Sequence, residues 1–171
     1  VTLLRKPLAD PTVAGPQLAR RALLATPFGL GLGWLTGVGS ACAATLPAPA
    51  SLASELAAAL QASQPLVVMA SLDGCPFCRI VRDTQLAPLQ RQGLPVVQLD
   101  MGSAQPVRGF DGTASTHERL LREWKVGVAP TVLFFGRDGR EVADRLAGAS
   151  IPDFYGAYLD ERLRIARLSL R

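Results

Sequence analysis

Cysteine is scarce in this chain: three residues among 171, too few for a small disulfide-stapled scaffold. Basic residues are not in surplus where a nucleic-acid binder needs them. The net charge is +4, but +3 of it lies before Ala44, carried by Arg5, Lys6, Arg20 and Arg21 against Asp10. The remainder holds 14 basic and 13 acidic residues, and no basic face emerges, which excludes nucleic acid as a partner. Charge is missing altogether from residues 22–54. Internal repeats are missing too, and low complexity is confined to a short Ala/Pro stretch. What is there, 49 % hydrophobic and 19 % charged, is far from a disordered composition and suits one compact domain behind a tail. A domain of ~100–150 residues buries a working core without disulfides.

The uncharged run follows Arg20-Arg21 and reads "ALLATPFGLGLGWLTGVGSACAATLPAPAS". A positive start, an apolar middle and a small-residue exit are the parts of a secretory signal. Ala41-Cys42-Ala43 fits the A-x-A exit. Residues 1–43 are therefore expected to be an export segment with an extended lead, and the mature chain to begin near Ala44, in the periplasm. The alternative is an uncleaved membrane anchor. A spanning helix wants ~20 strongly apolar residues, and Pro27, Gly29, Gly31, Gly33, Gly37 and Gly39 interrupt this run. "RRALL" partly matches a twin-arginine export signal. Cys42, a conceivable lipid-attachment site, has no leucine three places upstream and is expected to leave with the signal. Residues 44–53 follow as an Ala/Pro linker and residues 54–171 as the folded domain.

In that domain Ser54 is expected to cap a short helix over residues 55–63. The β-branched run "LVVMAS" predicts a buried strand over residues 66–71, and Asp73-Gly74 a turn. Pro76 suits a first helical turn, Ile80, Val81, Thr84 and Leu86 give a rough stripe, and Pro88 is expected to kink or end that helix. A second strand is predicted over 94–101, then a long loop to Ala114. Ser115 with Glu118 makes a capping box for a helix to about Lys125 that buries Leu120, Leu121 and Trp124. "TVLFFG" predicts a third strand, "RDGR" a tight turn, and "EVADRLAG" a fourth strand antiparallel to the third. Ser150 with Asp153 is expected to start a closing helix. The order α, β, α, β, α, β, β, α places the end of a parallel strand directly before Cys75, where sites form in open α/β sheets.

Cys75 and Cys78 stand in "SLDGCPFCRIV". A structural zinc site wants four ligands. Besides the pair, the domain offers only His117, outside any metal-type spacing and expected to be a solvated or capping residue, and the thioethers of Met69 and Met101. A two-cysteine, one-histidine zinc stays conceivable. As a staple, so short a loop gains little chain entropy. Redox exchange fits best. Cys75 is expected at the N-terminus of the helix begun by Pro76, where unpaired N–H groups and the macrodipole stabilise a thiolate. Cys78, nearly one turn on, faces back and is expected to be more buried. The first thiolate attacks a disulfide, and the second resolves the mixed disulfide.

In "VGVAPT", Pro130 lies 55 residues after Cys75. Together with the strand that runs into the CxxC, this stretch resembles the thioredoxin superfamily. The likeness covers about residues 52–168, with "EVADRLAGA" similar to the family's last strand and following glycine. It implies a thioredoxin fold, an α/β architecture whose central mixed sheet of about four strands is flanked by helices. It further implies a cis Ala129–Pro130 bond packed against the CxxC, and backbone groups of Ala129, beside Pro130 and Thr131, that offer a partner peptide strand-like hydrogen bonds. Pro76 and Phe77 would complete the partner platform, Phe77 as part of an apolar rim. No cofactor is implied beyond the redox-active Cys75–Cys78 disulfide, and no metal.

Three departures stand out. Gly74 replaces the family's Trp, Pro76-Phe77 replaces Gly-Pro, and the buried acid six residues before the first Cys falls on Met69. Asp73 is the acid nearest the pair, in a turn. "CPFC" is nearer the Cys-Pro-aromatic-Cys of glutaredoxins, without a glutathione-site pattern after "APT". The pattern "LVVM…GC-x-x-C…QLDM…PT" also resembles small periplasmic thioredoxin-like proteins of thiosulfate-oxidation gene clusters. That likeness implies a reductase that keeps a sulfur-carrying or other exported partner thiol active, supplied with electrons by a membrane thiol carrier; the partners expected are periplasmic protein thiols and disulfides, and the protein is expected to be a monomer. A disulfide-donating oxidase and a non-catalytic binding module remain as alternatives.

Overall fold

The computed structural model describes residues 45–149 and 154–171. The expected export segment over 1–43 and the proposed Ser150/Asp153 helix start lie outside the described residues. Among the described residues, six strands and five α-helices follow one another: α1 (Leu52–Gln61), β1 (Leu66–Ser71), α2 (Pro76–Val81), α3 (Ala87–Arg91), β2 (Val96–Asp100), β3 (Pro106–Arg108), β4 (Ala114–Thr116), α4 (His117–Glu123), β5 (Thr131–Phe135), β6 (Glu141–Ala147) and α5 (Tyr155–Leu168). The main sheet has the order β2-β1-β5-β6. β1 runs parallel to β2 and antiparallel to β5, and β6 antiparallel to β5. This is the mixed four-stranded sheet flanked by helices implied by the resemblance.

β1 and β5 lie at the centre, and every residue of both is buried. Alternation within a strand sends its side chains to opposite faces. Val67 and Met69 join Val132 and Phe134 on one face, over Cys78, Val81, Leu86, Tyr155, Leu159 and Leu163. Leu66, Val68 and Ala70 join Leu133 and Phe135 on the other, under Leu52, Leu56, Leu120 and Leu121. Burying a side chain of this size contributes about 1.5–3 kcal/mol, so two independent apolar layers clamp β1, the strand that leads to the cysteines.

Several local expectations are corrected. Ser51, not Ser54, caps α1: its hydroxyl accepts the Ser54 N–H at 3.3 Å. The stretch read as a linker is packed onto the domain. Leu46 is buried, Pro47 accepts the Gln98 N–H and Ala50 the Arg108 N–H. β2 is shorter than predicted, and α4 starts one residue later than the proposed box: Thr116 is the cap, accepting the Arg119 N–H at 3.3 Å. Leu120 and Leu121 are buried, but Trp124 is only half-buried, stacked with Phe110. Within the predicted loop to Ala114, β3 and β4 pair as a two-stranded ribbon.

Pro88 neither ends nor breaks its helix. The five residues Arg82–Leu86 form one π turn, in which the Ala87 N–H donates to the Arg82 carbonyl, and the helix resumes as α3 with Pro88 in its first turn. A proline has no N–H to give and its ring crowds the turn before it. A widened turn removes both problems and is a known way for a helix to carry a proline.

Candidate functional site

Strand β1 delivers the chain to the site. At its end the Ser71 carbonyl accepts the Met101 N–H at 2.7 Å, tying the carboxyl ends of β1 and β2 together. The turn then closes on itself. Gly74 takes φ +70°, Asp73 Oδ1 accepts the Gly74 N–H at 2.9 Å, and Cys75 N–H donates to the Leu72 carbonyl at 3.2 Å. Asp73 is therefore engaged as a turn residue. Positive φ favours glycine there, and a Cβ at Gly74 would meet nothing within 4 Å.

Cys75 is the residue that caps α2. Its Sγ accepts the Cys78 N–H at 3.1 Å, and Pro76 occupies the first helical turn, where a missing N–H costs nothing. The two cysteines form a disulfide with Cα atoms 5.3 Å apart. Their environments differ. Cys75 is partly exposed, whereas Cys78 is 1 % exposed and belongs to the core layer under β1. The Cys75 sulfur thus has a backbone donor at its helix end. Cys78 has no comparable access to solvent.

Pro130 enters from β5. The Ala129–Pro130 peptide is cis. Thr131 pairs with Ala70, so Pro130 lies one residue beyond the last rung, at the end of β1 that leads to Cys75. Pro130 is buried, and Ala129 packs, like Cys75, against the layer that holds Cys78. Thr131 is 2 % exposed and its hydroxyl donates to the Val128 carbonyl at 2.7 Å, fixing the chain just before the proline. Pro76 and Phe77 are exposed on the first turn of α2. Thus Cys75, Cys78, Ala129, Pro130 and Thr131 gather at one end of the sheet, with Pro76 and Phe77 on its surface. Leu72 and Val128 are also exposed, at about half their surface. Neither was foreseen. Each is an apolar residue beside a glycine or proline turn, and that is the signal available in the sequence.

Three further features escaped the sequence reading. His117 is neither solvated nor a cap. It is fully buried, its Nδ1 accepts the Asp100 N–H at 3.1 Å, and its Nε2 has no partner. Burial pushes this imidazole below its ordinary value, opposed in part by Asp100. Among the described residues, no cluster of three or more His, Cys, Asp and Glu side chains is arranged to hold a metal. Tyr155 is buried in the layer of Cys78 and Met69 with an unpartnered hydroxyl, and burial pushes its phenol well up, so it stays protonated. Finally, Cys75 forms part of the wall of a cleft of about 640 Å³ on the β2 side, whose polar lining includes Arg79, Arg82, Gln98 and Asp100.

Residues 52–162 match the family model described as thioredoxin-like domain. Among solved structures, the chain is similar to a thioredoxin of Fasciola hepatica at 21 % identity, covering 70 % of this chain and 97 % of that one, with a TM-score of 0.44. It is also similar to a thioredoxin of Thermus thermophilus at 20 % identity, covering 70 % and 86 %, with a TM-score of 0.46. An oxidised thioredoxin O2 of Arabidopsis thaliana aligns at 16 % identity over 64 % and 84 %, with a TM-score of 0.43. No curated protein sequence matches the chain. With the family model spanning most of the described domain, this chain belongs to the thioredoxin-like domain family.

Proposed function

We propose that the protein is an exported thiol–disulfide oxidoreductase that reduces disulfides of periplasmic proteins. The observation that carries this reading is the asymmetry of the cysteine pair: Cys75 is accessible and held at a helix end by the Cys78 N–H, while Cys78 is sealed in the core. Cys75 attacks a partner disulfide, and Cys78 then attacks Cys75 Sγ and releases the reduced partner. The partner chain lies along Ala129, against Pro130 and Thr131. Leu72, Phe77 and Val128 supply an apolar rim for it. Export is supported by the uncharged run and the Ala41-Cys42-Ala43 exit. The reducing direction is supported by the likeness to exported relatives of thiosulfate-oxidation clusters, and it calls for a membrane thiol donor.

The decisive experiment is trapping. Cys78→Ser, expressed with its native leader, should accumulate mixed disulfides through Cys75 with periplasmic proteins, and Cys75→Ser should not. Adducts absent from both variants would remove the exchange reading and leave a binding module. A reduction potential near −120 mV, as in a strong oxidant, would reverse the direction, whereas one below about −200 mV supports a reductase. Mass spectrometry of the mature N-terminus checks export, with Ala44 expected first and a lipid on Cys42 against it.

A further inference from the structure

We infer that the cleft beside Cys75 is a subsite for the α-amino acid group of small disulfides of the cystine class. If so, the thiol that serves protein partners also reduces a free, zwitterionic disulfide. The assignment rests on the exchange role proposed for Cys75.

The cleft exists because of what is missing. Gly74 puts no side chain into it. One wall is helical: Cys75, Arg79 and Arg82 are spaced i, i+4, i+7 and share a face, with Arg79 N–H donating to the Cys75 carbonyl at 3.2 Å. Helical side chains lean toward the N-terminus, which favours an Arg79 guanidinium on the Cys75 side of its own Cα. Arg79 has no ion pair among the described residues. Arg82 is a poorer free cation. Its Nη1 donates to Gln98 Oε1 at 3.2 Å, and its Nε lies 3.5 Å from Asp83.

The same cleft also presents acids, Asp73 and Asp100. Gln98 Nε2 donates to Asp100 Oδ1 at 2.7 Å, which leaves Oδ2 without a partner among the described residues. A carboxylate ligand alone would face Asp100, and an ammonium alone would face Arg79. A ligand carrying both on one carbon meets both signs of charge in the cleft that Cys75 also lines. Ordinary exposed ion pairs are weak, so the discrimination expected is modest, about fivefold.

The chemistry balances within one turnover of the dithiol form. Cys75 thiolate attacks one sulfur of the free disulfide, forming a mixed disulfide and expelling one thiolate, which takes a proton from water. Cys78, losing its proton to solvent, attacks Cys75 Sγ and expels the second thiolate. Two electrons pass from the dithiol to the ligand, giving two thiols and the Cys75–Cys78 disulfide. A dithiol reductant restores the enzyme.

The test uses reduced protein and four disulfides under single-turnover conditions: cystine (zwitterionic), cystamine (cationic), dithiodipropionate (anionic) and hydroxyethyl disulfide (neutral). Leaving thiols differ in pKa, so each rate is divided by that of dithiothreitol with the same disulfide. After this correction cystine should exceed the other three by about fivefold. Arg79→Gln and Asp100→Asn should each bring the cystine-to-neutral ratio close to one. A ratio near one in the native protein, a preference for the cation or the anion, or a ratio unmoved in both variants would overturn the subsite while the neutral disulfide still reports a working exchanger. If no disulfide oxidises the pair, the exchange function fails first.

Discussion

Cys75 stands between two unlike surfaces. On the β5 side, Ala129, buried Pro130 and exposed Val128 carry no charge, and exposed Phe77 stands beside Cys75 on the first turn of α2. On the β2 side, Arg79, Arg82, Gln98 and Asp100 form a polar cleft tied by hydrogen bonds from β2 to α2 and its π turn. The first surface suits an extended protein segment, which gives backbone hydrogen bonds and apolar contacts. The second suits a small charged molecule. In the proposed reading, one attacking sulfur faces two kinds of disulfide, and the surroundings, rather than the thiol, decide which reacts faster.

The largest expected effect removes the element both surfaces share. Cys75→Ser should abolish disulfide exchange with protein and small-molecule substrates alike, measured by reduction of insulin and of hydroxyethyl disulfide. Residual activity on one of them would mean that a second group reacts there.

Next is the fastening of the polar side. His117→Ala removes the acceptor for the Asp100 N–H and opens a cavity beneath β2, so a loss of about 2–4 kcal/mol is expected in urea denaturation. The pH dependence has a definite sign. His117 titrates below the ordinary 6.5 because its buried imidazole resists protonation. The unfolded chain therefore takes up the proton first as pH falls. The stability contribution is complete above about 6.5 and is lost between there and the lower folded value. His117→Ala should flatten that part of the curve. An equally steep decline in the variant would assign the acid sensitivity elsewhere.

A smaller effect, of opposite sign, is expected behind Cys78. Tyr155→Phe deletes a buried hydroxyl that has no partner, and the fold should be unchanged or gain up to about 1 kcal/mol. A loss above that would show the hydroxyl to be bonded. The smallest change in stability belongs to the apolar rim. Phe77 is 54 % exposed, so Phe77→Ser should shift stability by no more than about 0.5 kcal/mol. It should slow reduction of insulin more than reduction of hydroxyethyl disulfide, which sets the two surfaces of Cys75 apart directly.

The apolar side was open to sequence reasoning for physical reasons. Central strands buried on both faces must be continuous apolar runs, and "LVVMAS" and "TVLFF" are. A proline at N1 marks the helix start, and the Ala-Pro-Thr likeness located the turn before β5. The polar side was hidden because it is made by tertiary placement. Gln98 and Asp100 sit on a strand whose register with β1 is not written in either segment alone. Arg79 and Arg82 look like any solvated helix face. His117 was misjudged because one histidine at a helix start usually meets water, whereas here the β3–β4 ribbon folds the helix start back over β2, with the His117 N–H on the Gln105 carbonyl and the Glu118 N–H on the Ser103 carbonyl. Pro88, expected to kink or end its helix, does not end it, because the π turn over Arg82–Leu86 absorbs the proline.

The most direct test of the central claim is competitive alkylation of the reduced protein at neutral pH, with substoichiometric iodoacetamide and peptide mapping. Cys75 accepts a backbone hydrogen bond at an open helix end and Cys78 is 1 % exposed, so label should appear on Cys75 well before Cys78. Equal labelling, or label on Cys78 first, would contradict the division of labour on which both surfaces depend.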